Sequence, residues 1–163
     1  MRINYYICVW NIKIYNSMYE MVKMLHSYWA YLVLLILVLA VFNSIIKKAG
    51  NKEYEAKDFR ITLFALIVSH IQLLLGFILY FVSPRFSLFS ESGMGEIMKN
   101  SVDRLYLVEH PLVNIIAIAL ITIGYSKHKK KLLSSGKFKT ISVFYTIALV
   151  LFLSRIPWST WLG

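Results

Sequence analysis

The stretch Asp103–Lys127, DRLYLVEHPLVNIIAIALITIGYSK, decides how the rest of the chain is interpreted. It carries no charge from Pro111 to Ser126, and the ionisable pair Glu109–His110 stands at the start of this apolar run. A titratable group at membrane depth is costly and usually faces the interior of a helix bundle or a ligand. The question of function therefore becomes which partner His110 has.

Three further apolar segments accompany this one. The chain has 163 residues, of which 58% are hydrophobic and 16% are charged, and that is too apolar for a soluble domain of this size. A helix needs about 20 apolar residues to cross the hydrocarbon core of a membrane. The sequence therefore predicts an all-α integral membrane protein, an up-and-down four-helix bundle with helices at about 26–47, 60–83, 104–126 and 138–157.

The net charge of +10 is concentrated in two loops. Lys47–Arg60 holds five Lys or Arg residues and Lys127–Lys139 holds six, whereas Pro84–Arg104 and residues 1–25 hold three each. Short loops rich in Lys and Arg stay in the cytoplasm. We therefore expect cytoplasmic basic loops, termini on the outer side and a place in the bacterial inner membrane. Topology accounts for the charge, so no nucleic-acid partner is expected.

Residues 1–25 allow two interpretations. They mix aromatic residues with isolated charges and lack the apolar core and cleavage site of a signal peptide. Either they form an interfacial helix on the outer membrane face, or the natural start is Met18, Met21 or Met24. The single cysteine, Cys8, is taken as incidental, and no CxxCH motif for covalent haem attachment is present.

Several local features are predicted from residue type alone. Asp58 and Asp103 precede apolar runs and are expected to cap the second and third helices. Pro111 removes a backbone hydrogen bond and should bend the third helix just beyond His110. His128 stands among lysines and is expected to be a solvated loop residue.

Three histidines fall within the predicted helices, and their depths can be compared. At about 1.5 Å per residue, His26 lies roughly 31 Å and His110 roughly 25 Å above the cytoplasmic ends of their helices. His70 lies only about 15 Å above the start of its helix. His26 and His110 therefore share the outer third of the bundle, and His70 is nearer its middle.

The bundle topology places His26 and His110 on diagonal helices. With short connections the first and third helices are diagonal, about 13 Å apart, so two imidazoles can face each other across the centre. Imidazole is a standard axial ligand of haem iron. The supporting residues would be small ones that widen the space (Ala30, Gly76, Ala117), Gln72 on the Gly76 face, Asn114 one turn below His110, and Arg155 for the haem propionates.

Other interpretations of the same residues stay open. His26 can be an interfacial polar residue, and His110 can form a structural hydrogen-bond pair with Glu109. These three side chains can also form a site for a single metal ion. His70 is a candidate extra ligand, a quinone or proton contact, or a polar link to another helix. No HExxH, P-loop or GxGxxG motif is present.

The order of these residues is similar to a known pattern. HSYW opens the first helix, HIQLLLG lies in the second, and EH opens the third. This resembles the small four-helix, cytochrome b-like membrane proteins of Bacteroidetes-type bacteria and one half of a haem A synthase, over about residues 24–158. The resemblance implies a b-type haem held by His26 and His110 on the periplasmic side, with Gln72–Gly76 as the accompanying QxxLG stretch. His70 is outside that pattern.

Together these features lead to one expected function and two alternatives. The first is a membrane cytochrome that carries single electrons between a quinone or redox protein and a periplasmic acceptor. The second is a haem-free accessory or scaffold subunit of a larger membrane complex. The third is a haem-modifying enzyme similar to haem A synthase, which would act as a homodimer because only one four-helix half is present.

Overall fold

The computed structural model describes residues 2–161, with side chains for 13–159 and 161. This part of the chain contains helices and no strand. Four helices are long: α1 (Arg2–Ala49), α2 (Ala56–Val82), α6 (His110–Lys129) and α7 (Ser134–Ser154). The predicted all-α class is confirmed.

Helix α1 is much longer than predicted. It begins at Arg2 instead of near His26 and runs through 48 residues without a break. The chain has neither glycine nor proline before Gly50, so nothing in the sequence interrupts the helix. The Tyr15 hydroxyl donates to the Val82 carbonyl at 2.7 Å, so the extension packs beside the end of α2 that lies opposite the basic loops. This end of the bundle is called the outer end below, after the orientation that the sequence predicts.

The four long helices form a closed ring of antiparallel neighbours in the order α1, α2, α6, α7. Helices α1 and α6 are therefore diagonal, as predicted. The inward faces of all four long helices meet in one apolar core, which comprises Val33, Leu37, Ala40, Val41, Ala65, Val68, Ala117, Ile118, Ile121, Ile141, Tyr145, Ala148 and Phe152.

The outward face of the bundle is as apolar as its core. Four helices of the described chain are long and apolar enough to cross a membrane. Large apolar side chains are exposed around the ring, among them Leu35, Leu39, Phe42, Leu74 and Phe81. A water-soluble bundle would carry polar residues there, so the surface identifies a multi-pass membrane protein.

The start of α2 corrects the predicted cap. The helix begins at Ala56, and Glu55, not Asp58, occupies the cap position. Asp58 lies one turn inside, is 1% exposed, and accepts hydrogen bonds from the Glu55 amide at 2.8 Å and the Asn43 amide at 2.7 Å. Lys47 completes the group with an ion pair at 3.0 Å. The carboxylate links two helices, because Asn43 and Lys47 belong to α1 and Asp58 belongs to α2.

The outer connection from α2 to α6 contains short helices. A 3-10 turn, Pro84–Ser87, is followed by α3 (Leu88–Glu91), α4 (Gly93–Lys99), α5 (Ser101–Arg104) and a π-helical turn, Leu105–Glu109. The cap of α5 is Asn100, which accepts from two amides, and not Asp103 as predicted. Asp103 instead forms an ion pair with Arg85.

The distortion expected near Pro111 lies on the other side of His110. The π-helical turn ends at Glu109, and Pro111 sits in the first turn of α6. Because proline has no N–H, it cannot bond to the Leu107 carbonyl one turn back. The Tyr80 hydroxyl of α2 donates to that carbonyl at 3.0 Å instead. Beyond α7 the chain forms one further short helix, α8 (Trp158–Trp161).

Candidate functional site at the outer histidine pair

The His26 and His110 rings meet across the bundle. Their ring centres are 6.3 Å apart and the ring planes cross at 68°. One ring comes from α1 and the other from the first residue of α6, the two diagonal helices. The structure therefore brings together the two histidines that the rise per residue predicted to lie at the same level.

The orientation of His110 is fixed by two hydrogen bonds. Its Nδ1 lies 2.7 Å from the Arg155 carbonyl, which only accepts, so Nδ1 carries the proton. The Asn114 amide nitrogen lies 3.0 Å from Nε2 and donates to it. Nε2 is therefore the nitrogen with the free electron pair, which is the form that binds a metal.

His26 is held from α2. The Gln72 amide nitrogen lies 3.1 Å from the His26 carbonyl and 3.3 Å from its Nε2, so it donates to both acceptors. The ring lies beside Gly76 of α2, where an added Cβ would be 3.4 Å from the His26 Cε1, in ordinary van der Waals contact.

Three buried polar atoms around this pair have no hydrogen-bond partner among the described residues. They are the His26 Nδ1, the Gln72 Oε1 and the Asn114 Oδ1. Each such atom costs about 1–3 kcal/mol when it is left unpaired in the protein interior. Buried polar atoms in native proteins are usually paired, with a protein group, a water or an ion, so this cluster of three marks the pair as the candidate site.

The spacing of the two rings suits a shared metal. Two bonds of about 2 Å, plus about 1 Å from each nitrogen to its ring centre, separate the centres of opposed imidazole ligands by about 6 Å. The observed 6.3 Å matches this sum. Both Nε2 atoms are unprotonated acceptors, and each is covered by a side-chain amide that would have to turn away.

Glu109 does not pair with His110. Its carboxylate lies between two arginines, 2.9 Å from the Arg104 Nε and 3.4 Å from the Arg155 Nε. Within the described residues no group of three or more His, Cys, Asp or Glu side chains is placed to hold a metal ion. The alternative of a site formed by His26, His110 and Glu109 is therefore wrong. Arg155 contributes its carbonyl to His110, and its predicted contact with propionates stays a prediction.

His70 lies apart from the pair. Its Nδ1 donates to the Leu66 carbonyl at 2.8 Å, and its Nε2 is 3.5 Å from the Thr122 hydroxyl of α6. Of the predicted roles, this geometry favours the polar link to another helix over an extra metal ligand. Among the small residues, Ala117 lies in the packed core, below the level of His110.

The prediction for His128 is wrong. Helix α6 continues to Lys129, so His128 lies in its last turn and is only 1% exposed. Its ring contacts Tyr54, Phe59 and Tyr125 at centre distances of 5.1 to 6.2 Å. Tyr125, three residues earlier on the same helix face, was the available sign that this position turns inward.

Comparison with models of protein families, with curated proteins and with solved structures finds no match. The fold and the site define the chain as a multi-pass membrane four-helix bundle with an opposed histidine pair at one level. The similarity of its residue order to cytochrome b-like proteins stays a prediction.

Proposed function

We propose that this protein is a membrane cytochrome in which His26 and His110 bind one b-type haem and which passes single electrons. The observation that supports this most strongly is the opposed pair, 6.3 Å apart, amid three unpaired buried polar atoms. Two imidazoles on opposite helices are a usual axial ligand set for haem iron.

The chain's own residues would give the two ligands different strengths. The Arg155 carbonyl accepts the Nδ1 proton of His110, which fixes the ring and makes Nε2 more basic. Among the described residues no such acceptor lies at the Nδ1 of His26. Haem, when bound, would supply the one-electron chemistry, and the surrounding apolar core would set its potential through burial.

Purification after haem-replete expression tests the proposal. We expect a reduced-minus-oxidised spectrum of low-spin haem with about one haem per chain, and loss of that spectrum in His26→Ala and in His110→Ala. His70→Ala is the matched control, because it removes an imidazole of the same bundle that lies apart from the pair, and it should keep the haem. Colourless wild-type protein, or haem retained in both ligand variants, would refute the proposal.

A haem-free accessory subunit is the second candidate, and one observation favours it. Leu132 and Leu133 are 96% and 74% exposed beside Lys130 and Lys131. Apolar side chains next to several cations suit contact with anionic lipid or a partner subunit. Stoichiometric co-purification of a partner with colourless protein would favour this function over the cytochrome.

A further inference from the structure

His70 exposes a titratable ring on the outside of the bundle, halfway along α2. The residues that precede and follow it on the same helix face, Ile67 and Leu74, are 44% and 63% exposed. In a membrane this surface faces hydrocarbon. A histidine is costly there and usually marks a contact with a ligand or another helix.

The hydrogen bonds of His70 leave one acceptor unserved. Because the Leu66 carbonyl takes the Nδ1 proton, Nε2 is an acceptor. Among the described residues the only hydrogen-bonding group at Nε2 is the Thr122 hydroxyl at 3.5 Å, and that hydroxyl donates its single proton to the Ile118 carbonyl at 2.8 Å. Two acceptors, Nε2 and the Thr122 oxygen, therefore face each other across the seam between α2 and α6.

A donor that fits between them must dissolve in the membrane interior. Acyl chains have no O–H or N–H group, and lipid headgroups lie at the surface. A second copy of this chain would present the same two acceptors, so a symmetric contact supplies no donor. A hydroquinone has a phenolic O–H, a flat ring that can lie on the exposed aliphatic side chains, and a tail that stays in lipid.

We infer that His70 and Thr122 form a binding site for the hydroxyl of a membrane-soluble hydroquinone. The site selects the reduced carrier, because the oxidised form offers only carbonyl acceptors to a pair of acceptors. Binding itself requires no haem. A role of the bound carrier as electron donor to the histidine pair rests on the proposed function.

Nitrogen NMR of the protein in lipid nanodiscs tests the site, with ¹⁵N-labelled imidazoles and a short-tailed alkyl benzohydroquinone as the probe. His70→Leu identifies the His70 signals. We expect the Nε2 signal of His70 to move on addition of the hydroquinone and to stay unchanged with the matching benzoquinone. A shift with both forms, or with neither, would overturn the inference, as would a His70 signal that depends on protein concentration and so reports a second copy.

Thr122→Val should weaken hydroquinone binding by about two- to three-fold, the lower end of the range for one neutral hydrogen bond, because the two acceptors share the single O–H proton. Thr140→Val is the matched control, because Thr140 also bonds one turn back along its helix, to the Gly136 carbonyl at 2.9 Å. Equal affinity of both variants would count against the site. The haem spectrum of the same sample separates the two proposals. A protein that binds haem but shows no shift of the His70 signal refutes only the hydroquinone site. A colourless protein that shows the shift refutes only the cytochrome.

Discussion

The outer histidine pair and the enclosure of His128 at the other end of the bundle both hold imidazoles inside the protein, half-buried in the pair and 1% exposed at His128. His26 and His110 face each other and are bonded by two side-chain amides and a backbone carbonyl. His128 contacts aromatic rings, and neither of its ring nitrogens has a hydrogen-bond partner among the described residues. The comparison teaches that the neighbours of a buried histidine, more than its burial, distinguish a ligand candidate from a packing residue.

Among the described residues no acidic side chain pairs with His128, whereas Lys137 and Lys129 lie over two rings of its enclosure, those of Tyr54 and Tyr125, at 5.1 and 5.0 Å. Tyr54, which covers it from the loop before α2, has its pKa raised to about 12 because burial penalises the phenolate. The Tyr54 hydroxyl is thus neutral at ordinary pH, and its backbone N–H donates to the Ser134 hydroxyl at 3.0 Å. The hydrogen bond from Tyr54 therefore ties the connection before α2 to the start of α7.

The largest effect on stability is expected at the buried carboxylate of Asp58, near the end of the bundle that carries the basic loops. Asp58→Ala would leave Lys47 without its buried partner and the Asn43 amide without an acceptor. We expect a loss of about 3 kcal/mol in the free energy of unfolding, measured in detergent, because the Asn43 amide and the Glu55 N–H both lose their acceptor, at about 1–3 kcal/mol for each donor left unpaired. The control Glu55→Gln changes a side chain that is 60% exposed and should cost under about 1 kcal/mol. Equal losses would contradict the assigned role of Asp58.

The packing at the two ends of the bundle can be compared directly at one glycine in each, Gly124 and Gly76. A Cβ at Gly124 would lie 2.6 Å from the Phe144 Cβ, whereas at Gly76 the nearest atom, the His26 Cε1, would be 3.4 Å away. Gly124→Ala should therefore destabilise by about 1–3 kcal/mol through overpacking. Gly76→Ala should be nearly neutral, since its contact is ordinary and alanine favours the helix. Thermal unfolding of both variants in the same detergent measures this, and the reverse order would show that the packing is misjudged.

The smallest effect concerns His128 itself. His128→Phe replaces both unpaired nitrogens by a ring of similar shape in an aromatic enclosure. We expect unchanged stability or a gain of about 1 kcal/mol, because no hydrogen bond is lost. A large loss would mean that the imidazole has a polar role, and the contrast with the outer pair would then fail.

The sequence predicted the features that depend on periodicity and length. Hydropathy located the four helices, and the rise per residue with short connections brought His26 and His110 to one level. Gln72 and Asn114 lie beside the pair, one helical turn before Gly76 and one turn after His110, and their part in cofactor binding stays a prediction. Membrane orientation and cofactor stay predictions.

The features that the sequence did not predict depend on contacts between distant segments. The burial of His128 needs Tyr54 from the connection before α2, and Tyr54 packs in turn on Phe138 of α7. The bond from Tyr80 to the Leu107 carbonyl needs the register of α2 against α6. Neither contact leaves a periodic signal in the residues that make it.

Pulsed electron paramagnetic resonance of the oxidised protein, carrying ¹⁵N-labelled histidine, tests the account most directly. Our account predicts low-spin ferric haem with two coordinated imidazole nitrogens, one from His26 and one from His110. High-spin iron with a single imidazole, or haem-replete preparations without an iron signal, would contradict it.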